Sequence, residues 1–120
     1  MSMDAEQIRR YNLSKKGSDE SFPFDETTLV FKVMGKMFCL LNLEPPISIN
    51  LKADPDILLE LIERHEFVKP GYHMNKKHWM TVDLSARVKP DMIYEWIDNS
   101  YELVILGLPK KLKEELKKVC

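Results

Sequence analysis

The chain has 120 residues and a mass of 14.1 kDa, which is the usual size of one domain. Its 44% hydrophobic and 31% charged residues are typical of a globular protein and exclude a disordered or fibrous chain. The formal net charge of -1 excludes a strong overall attraction to nucleic acid, so any such attraction must come from a local patch. We therefore expect a single domain over residues 1–120.

The cysteine positions and the chain start predict a cellular location. Cys39 lies in an apolar run and Cys120 ends the chain, so the pair matches neither a disulfide framework nor a metal-ligand spacing. The first ten residues are polar and partly acidic, unlike a signal peptide, and no apolar run approaches the roughly 20 residues of a membrane span. We expect a cytoplasmic protein with reduced thiols and no membrane association.

The first predicted element is a helix. Asp4 and Gln7 have the spacing of a capping box, so the helix should begin there, with Ile8 facing the core. It should end near Ser14. An acidic loop over residues 19–26 is expected to follow.

Three antiparallel strands are predicted next. The β-branched and aromatic run 29–33 and the apolar run 36–43 are joined by Met34 and Gly35, a plausible hairpin turn. Two prolines at 45–46 end the second strand, because proline donates no hydrogen bond to a sheet. Residues 47–52 then alternate between apolar and polar side chains, which predicts a third strand with Ser48, Asn50 and Lys52 facing outward.

The second half of the chain combines helices with a fourth strand. Asp54 and Pro55 are typical of a helix start, and an apolar stripe of Ile57, Leu58, Leu61 and Ile62 runs toward Arg64. An irregular segment over residues 67–77 and a strand over 78–84 follow.

Two further helices complete the chain. The first should begin at Pro90 and end before Gly107, and a short basic helix should cover 110–118. The first helix carries five apolar residues expected in the core. We predict an α+β fold, with an antiparallel sheet and helices packed on one face. The five core residues are Ile93, Trp96, Ile97, Tyr101 and Val104.

Basic residues are concentrated in the middle of the chain. Residues 64–89 carry six bases and two acids, a balance of +4, whereas 53–63 and 90–107 carry four acids each and no base. All three histidines fall in the same window. A local patch of this kind, with aromatic side chains, is suited to phosphates and bases. The alternative interpretation is that the lysines only solvate a turn and the tryptophan belongs to the core. The tail from residue 108, at +3, fits a solvated helix whose lysines complement the macrodipole.

No catalytic or metal motif stands out in the sequence. His73 and His78 lack a third metal ligand nearby, since Asp83 would have to reach back along the fourth strand. Cys39 is expected to be a buried, inert thiol. The chain has no glycine-rich phosphate loop and no nucleophile motif. We therefore expect no enzyme, metal or cofactor, while acid–base chemistry by the two histidines stays open.

Residues 70–79 and 81–83 resemble the signature of the MmcQ/YjbR family of small bacterial proteins. The resemblance also covers residues 21–24, 35–38, 51–55, 100–104 and 108–109. It implies a compact α+β fold of the double-wing layout, similar to secretion chaperones and to the frataxin-like bacterial protein. It also implies DNA binding, which is the activity predicted for the family. The first segment reads Pro70-Gly71-Tyr72-His73-Met74-Asn75-Lys76-Lys77-His78-Trp79 and the second Thr81-Val82-Asp83.

The leading hypothesis is DNA binding by the basic loop 69–79, which contains histidine and aromatic residues, and by the neighbouring strands. Four bases would contact phosphates, while His73, Asn75 and Trp79 would shape or read the site. Lys52 could join them from the end of the third strand. The full set of candidate residues is Lys52, Lys69, Tyr72, His73, Asn75, Lys76, Lys77, His78, Trp79 and Arg87.

Two alternatives remain open at this stage. The first is a protein-interaction or chaperone-like module that uses a sheet edge or an apolar groove. The second is a small-molecule binder or enzyme that uses His73 and His78. The sequence leaves a monomer and a homodimer equally open.

Overall fold

The computed structural model describes residues 4–71 and 74–119. Within these residues the chain forms one antiparallel sheet of six strands with four helices, which confirms the predicted α+β class. No helix in this described part is long and apolar enough to cross a membrane. The elements in chain order are α1 (Ala5–Leu13), β1 (Ser18–Ser21), β2 (Thr28–Val33), β3 (Lys36–Asn42), β4 (Ser48–Lys52), α2 (Pro55–Arg64), β5 (Val68–Pro70), β6 (Trp79–Asp83), α3 (Pro90–Leu106) and α4 (Lys110–Lys117).

Helix α1 begins at the predicted capping box. The Asp4 carboxylate accepts the backbone N–H of Gln7 at 2.8 Å, and the Gln7 side chain accepts the N–H of Asp4 at 3.0 Å. These bonds satisfy two donors that a helix start leaves unpaired. Ile8 is fully buried, as its position in the helix predicts.

The strand order is β1-β2-β3-β4-β6-β5, so β4 lies inside the sheet between β3 and β6. Ile49 of β4 pairs with Leu41 of β3 and with Val82 of β6. Paired residues point to the same side of a sheet, and all three side chains are fully buried. One face of the sheet is therefore the apolar floor of the core.

Helix α3 covers this apolar face. All five residues predicted for its inner side are buried, which confirms the pattern seen in the sequence. Ser100 fixes the helix to the sheet, because its hydroxyl donates to the carbonyl of Phe38 at 2.5 Å and accepts the N–H of Lys52 at 2.8 Å. The helix is thus held to β3 and β4 by polar bonds as well as by packing.

Two strands were not expected from the sequence. The segment predicted as an acidic loop contains β1, and the segment predicted as irregular contains β5. Both are short strands at the edges of the sheet, so they lack the alternation of apolar residues that marks an inner strand. Glu20 of β1 is instead held by the guanidinium of Arg9 at 2.7 Å.

Helix α2 begins where predicted, but its apolar stripe is only partly buried. Asp54 accepts the N–H of Asp56 at 3.0 Å and caps the helix. Leu58 is buried, whereas Ile57 keeps 50% of its surface exposed. Ile57 belongs to the predicted apolar stripe, but its side chain lies at the open gap between α2 and α3.

Candidate functional site

The opposite face of the sheet forms a groove of about 830 Å³. Its described lining comes from strands β2, β3, β4 and β6 and from the loops after β1, β3 and β5, and none of these residues belongs to a helix. We call this the open-face groove. Its lining includes Phe24, Leu40, Asn42, Asn50, Trp79 and Thr81.

The floor of the open-face groove is mostly polar and uncharged. The hydroxyl of Thr81 donates to the side-chain oxygen of Asn50 at 2.5 Å, which joins β6 to β4. Asn42 and Ser48 lie beside this pair, and Leu40 supplies an apolar patch. Amides and hydroxyls both donate and accept hydrogen bonds, so the floor suits a ligand with mixed polar edges.

One wall of the groove is the loop between β1 and β2. Phe24 stands in this loop with 64% of its surface exposed. Asp25 holds the loop, since its carboxylate accepts the N–H groups of Thr27 at 2.9 Å and Thr28 at 2.7 Å. These hydrogen bonds favour the charged form and lower the pKa of Asp25. The wall therefore offers an aromatic ring on a fixed backbone.

The other wall is the segment that joins β5 to β6. The N–H of Gly71 donates to the carbonyl of Trp79 at 2.8 Å and closes the segment at its base. Asn75 accepts the N–H of Lys77 on its side chain at 2.9 Å and that of Trp79 on its carbonyl at 2.9 Å. A Cβ atom at Gly71 would meet the Cβ of Trp79 at 3.0 Å, so the absence of a side chain permits this approach. The backbone of the described part of this wall is thus held by its own hydrogen bonds.

The structure brings part of the predicted site together at this wall. Asn75 and Trp79 line the open-face groove, while Lys76, Lys77 and His78 form the exposed turn beside it. Tyr72 and His73 also belonged to the predicted set, and they lie outside the described residues.

Three predicted bases lie elsewhere. Lys69 is opposite Thr81 on the edge strand, and its charge contributes, after the hydrogen bonds from Ser85, to a lowered pKa of Asp83. Lys52 pairs with Trp79 and so starts from the open face of the sheet, but it borders the gap between α2 and α3 and is not among the groove-lining residues. Arg87 follows the end of β6 that is opposite the Lys76-Lys77 turn, and it is not among the groove-lining residues. Neither Lys52 nor Arg87 joins the groove.

Several groove residues were not identified from the sequence. Phe24, Asn42 and Thr81 were not candidates, although the sequence did place Asn50 on the outward side of its strand. The alternation in β4 was therefore the available signal: its outward polar side chains form part of the groove floor. The contact between Asn50 and Thr81 joins residues 31 positions apart, which no local pattern shows.

The titratable groups near the sheet show no arrangement for metal binding. Among residues 4–71 and 74–119, no three His, Cys, Asp or Glu side chains are grouped so that they could hold a metal ion. Cys39 is fully buried, and burial raises the pKa of its thiol to about 12. It remains a protonated core residue near neutral pH.

Comparisons with known proteins identify the family. A family model described as YjbR matches residues 13–103. The uncharacterised protein YbdF of Escherichia coli O157:H7 is 36% identical over 107 residues, covering 88% of each chain. The uncharacterised protein YjbR of Escherichia coli K12 is 29% identical over 115 residues, covering 95% of this chain and 98% of that one.

Solved structures agree with this assignment. A Deinococcus radiodurans protein with a DUF419 domain superposes with a TM-score of 0.89 at 36% identity, covering 97% of this chain and 89% of that one. A Pseudomonas syringae protein superposes with a TM-score of 0.74 at 26% identity, covering 84% of this chain and 98% of that one. The resemblance read from residues 70–83 is confirmed, and the chain belongs to the YjbR family.

Proposed function

We propose that the protein binds single-stranded DNA in the open-face groove. One observation carries the proposal: a sheet face without a helical cover combines two aromatic walls, a hydrogen-bonding floor and a lysine turn. Phe24 and Trp79 form the aromatic walls, and Lys76 and Lys77 form the turn. Proteins that bind single strands combine the same parts, namely aromatic rings that stack on bases and cations that follow the phosphates.

The dimensions of the groove favour a single strand over a duplex. The walls stand above β2 and β6, which are three strand spacings apart, or about 14 Å. Bases in a duplex are stacked and paired inside the helix, so their faces cannot reach a concave floor. A single strand presents both the faces and the edges of its bases. The amides of Asn42 and Asn50 can then bond to base edges, as asparagine does with adenine.

The charges in and around the groove predict on which side of it the phosphates of the bound strand lie. Lys76 and Lys77 lie at the β5–β6 wall, whereas Asp25 and Glu44 line the groove elsewhere. The phosphates should therefore follow the lysine wall. Two or three phosphate contacts on a single strand predict a loss of affinity of about tenfold between roughly 50 and 200 mM salt.

The direct test is titration of a labelled oligonucleotide of about 12 nucleotides, a length within the range of one single-strand site. A duplex of the same sequence is titrated in parallel, and both are measured at roughly 50 and 200 mM salt. We expect the single strand to bind more tightly than the duplex and to weaken by about tenfold over this range. Absence of single-strand binding at the lower salt concentration would rule the proposal out.

Two pairs of variants locate the binding. Lys77→Glu should weaken binding, whereas Lys111→Glu makes the same charge change at an exposed position of α4 and should have much less effect. Phe24→Ala should lose the stacking energy of about 1–3 kcal/mol per base. Leu59→Ala is its control, since Leu59 is 65% exposed on α2. Equal losses in a variant and its control would contradict the assigned site.

A further inference from the structure

A second groove lies on the helical side of the sheet, between α2 and α3. Its volume is about 580 Å³, and Met80 lies among its lining residues. The two helices border it in opposite directions, because Lys52 just before α2 bonds to Ser100 of α3, whereas His65 just after α2 contacts the earlier Trp96. We call this space the interhelical groove. Its apolar lining includes Ile57, Leu61, Met92, Leu103 and Leu106.

The interhelical groove exposes apolar side chains that the core does not use. Ile57 is 50% exposed and Leu106 is 69% exposed, whereas Leu58 and Val104 on the same two helices are buried. Ile57 and Leu106 come from different helices and line the same groove, whereas the exposed Leu59 of α2 lies outside it. Apolar side chains from two helices that share one groove make it a candidate docking surface.

The rim of the groove is acidic. Four carboxylates border it against two bases, and one base, Arg64, forms an ion pair with Glu60 at 2.6 Å. Within the described residues, neither Glu95 nor Glu102 forms an ion pair. These two are seven residues apart on α3, which places them on the same side of the helix, two turns from each other. Uncompensated negative charge therefore lies beside the apolar lining.

We infer that the interhelical groove binds a basic amphipathic helix of a partner protein. The groove follows α3 from Met92 to Leu106, a length of about 21 Å, which corresponds to about four helical turns. A helix in such a groove places apolar residues three, four and seven apart against the lining. Lysine or arginine residues seven apart on that helix would face Glu95 and Glu102. The inference does not depend on DNA binding, which uses the other face of the sheet.

The chain has a basic helix of its own, α4, and this helix already packs against the rest of its own chain. Helix α4 carries lysines and leucines, but its Leu116 is buried, and Lys16 donates to the carbonyl of Lys117 at 3.1 Å. The apolar side of α4 is thus used within its own chain. The apolar side of α4 in a second copy is therefore not free to occupy the groove, which is why the inference names a helix of another protein.

A synthetic peptide tests this inference. The probe is a helical peptide of about four turns, with leucines on one face and lysines seven residues apart. A matched peptide carries glutamates in place of the lysines. We expect the basic peptide to bind about tenfold or more tightly than the acidic one, because the rim charges discriminate between them. The methyl NMR signals of Ile57, Leu103 and Leu106 should shift on binding.

A charge-reversed variant provides the control for position. Glu95→Lys combined with Glu102→Lys should weaken the binding of the basic peptide by about tenfold or more. Glu114→Lys combined with Glu115→Lys makes the same change at exposed positions of α4 and should leave binding within about twofold. Circular dichroism checks that both variants are folded.

Three results would overturn the inference. The first is equal binding of the basic and acidic peptides, and the second is a set of NMR shifts outside the groove. The third is a dimer in sedimentation equilibrium that the Glu95 and Glu102 changes dissociate, since the groove would then hold a second copy of this chain.

Discussion

Neighbouring residues of β4 belong to two different surfaces of the molecule. Ile49 is fully buried toward the apolar core, whereas Asn50 lies in the open-face groove and accepts a hydrogen bond from Thr81. Successive side chains of a strand point to opposite faces, so one strand contributes to both surfaces. On the helical face the side chains are apolar and packed together, and on the open face several are polar and have hydrogen-bonding groups near solvent.

The two faces of the sheet are expected to contribute differently to the stability of the fold and to ligand binding. The helical face excludes water, so its side chains contribute through the apolar area that they bury. The open face leaves amides and hydroxyls near solvent, where their hydrogen bonds add little to folding. Substitutions on the first face should therefore change the free energy of unfolding, and substitutions on the second should change binding.

The largest expected effect comes from changing Ile49. Ile49→Ala should lower the free energy of unfolding by about 2–5 kcal/mol, because it removes buried methyl groups and leaves a cavity. Asn50→Ala, at the next position, should cost about 1 kcal/mol, since it removes one partly exposed hydrogen bond. Urea denaturation of both variants measures the difference. An equal loss of unfolding free energy in the two variants would contradict the difference proposed between the two faces.

A smaller effect is expected where α3 is fixed to the sheet. Ser100→Ala removes the hydroxyl that bonds to the carbonyl of Phe38 and to the N–H of Lys52. One buried and one partly buried backbone group lose their partner, so the variant should lose about 1–3 kcal/mol of stability. Ser21→Ala changes an exposed serine on the edge strand and should stay within about 0.5 kcal/mol of the original protein. Thermal denaturation compares the two, and a neutral Ser100→Ala variant would show that these bonds do not hold the helix.

The smallest effect concerns the titration of Asp83 on the open face. Hydrogen bonds from the Ser85 hydroxyl and backbone N–H, followed by the charge of Lys69, lower the pKa of this carboxyl. Ser85→Ala should raise the pKa toward its ordinary value, and Lys69→Ala should raise it less. NMR titration of the carboxyl measures both changes, and a larger rise in the lysine variant would reverse this ranking.

The sign of the pH effect follows from the lowered pKa of Asp83. A carboxyl with a lower pKa in the folded state stabilises the protein at pH values above the unfolded pKa of about 3.9. This contribution is lost as the pH falls through the folded value. The Ser85→Ala variant should therefore be less sensitive to acid through this group, while its stability near neutral pH is slightly reduced.

Much of the fold could be predicted because its elements carry local signals. The capping box at Asp4, the turn at Met34-Gly35 and the alternation in β4 each follow from adjacent residues. Strands β1 and β5 carry no such signal, since an edge strand is defined by its pairing with a neighbour. The exposure of Ile57 could not be predicted either, because the apolar stripe on α2 gives no information about the distance between α2 and α3.

The candidate site was predictable to a smaller extent. Asn75 and Trp79 stand in a segment that the sequence singled out, and both line the open-face groove. Phe24 comes from a distant part of the chain, and Thr81 meets Asn50 only through the strand order of the sheet. Charge counting grouped Arg87 with the loop, but β6 separates them in space.

Mapping of a bound single strand by NMR tests the central claim most directly. The labelled protein is titrated with an oligonucleotide of about 12 nucleotides at roughly 50 mM salt, and backbone and side-chain amide shifts are followed. We predict shifts for the side-chain amides of Asn42 and Asn50, for the indole N–H of Trp79 and for the backbone of Lys77, with none along the interhelical groove. Shifts confined to α2 and α3, or no shifts at saturating oligonucleotide, would contradict the account.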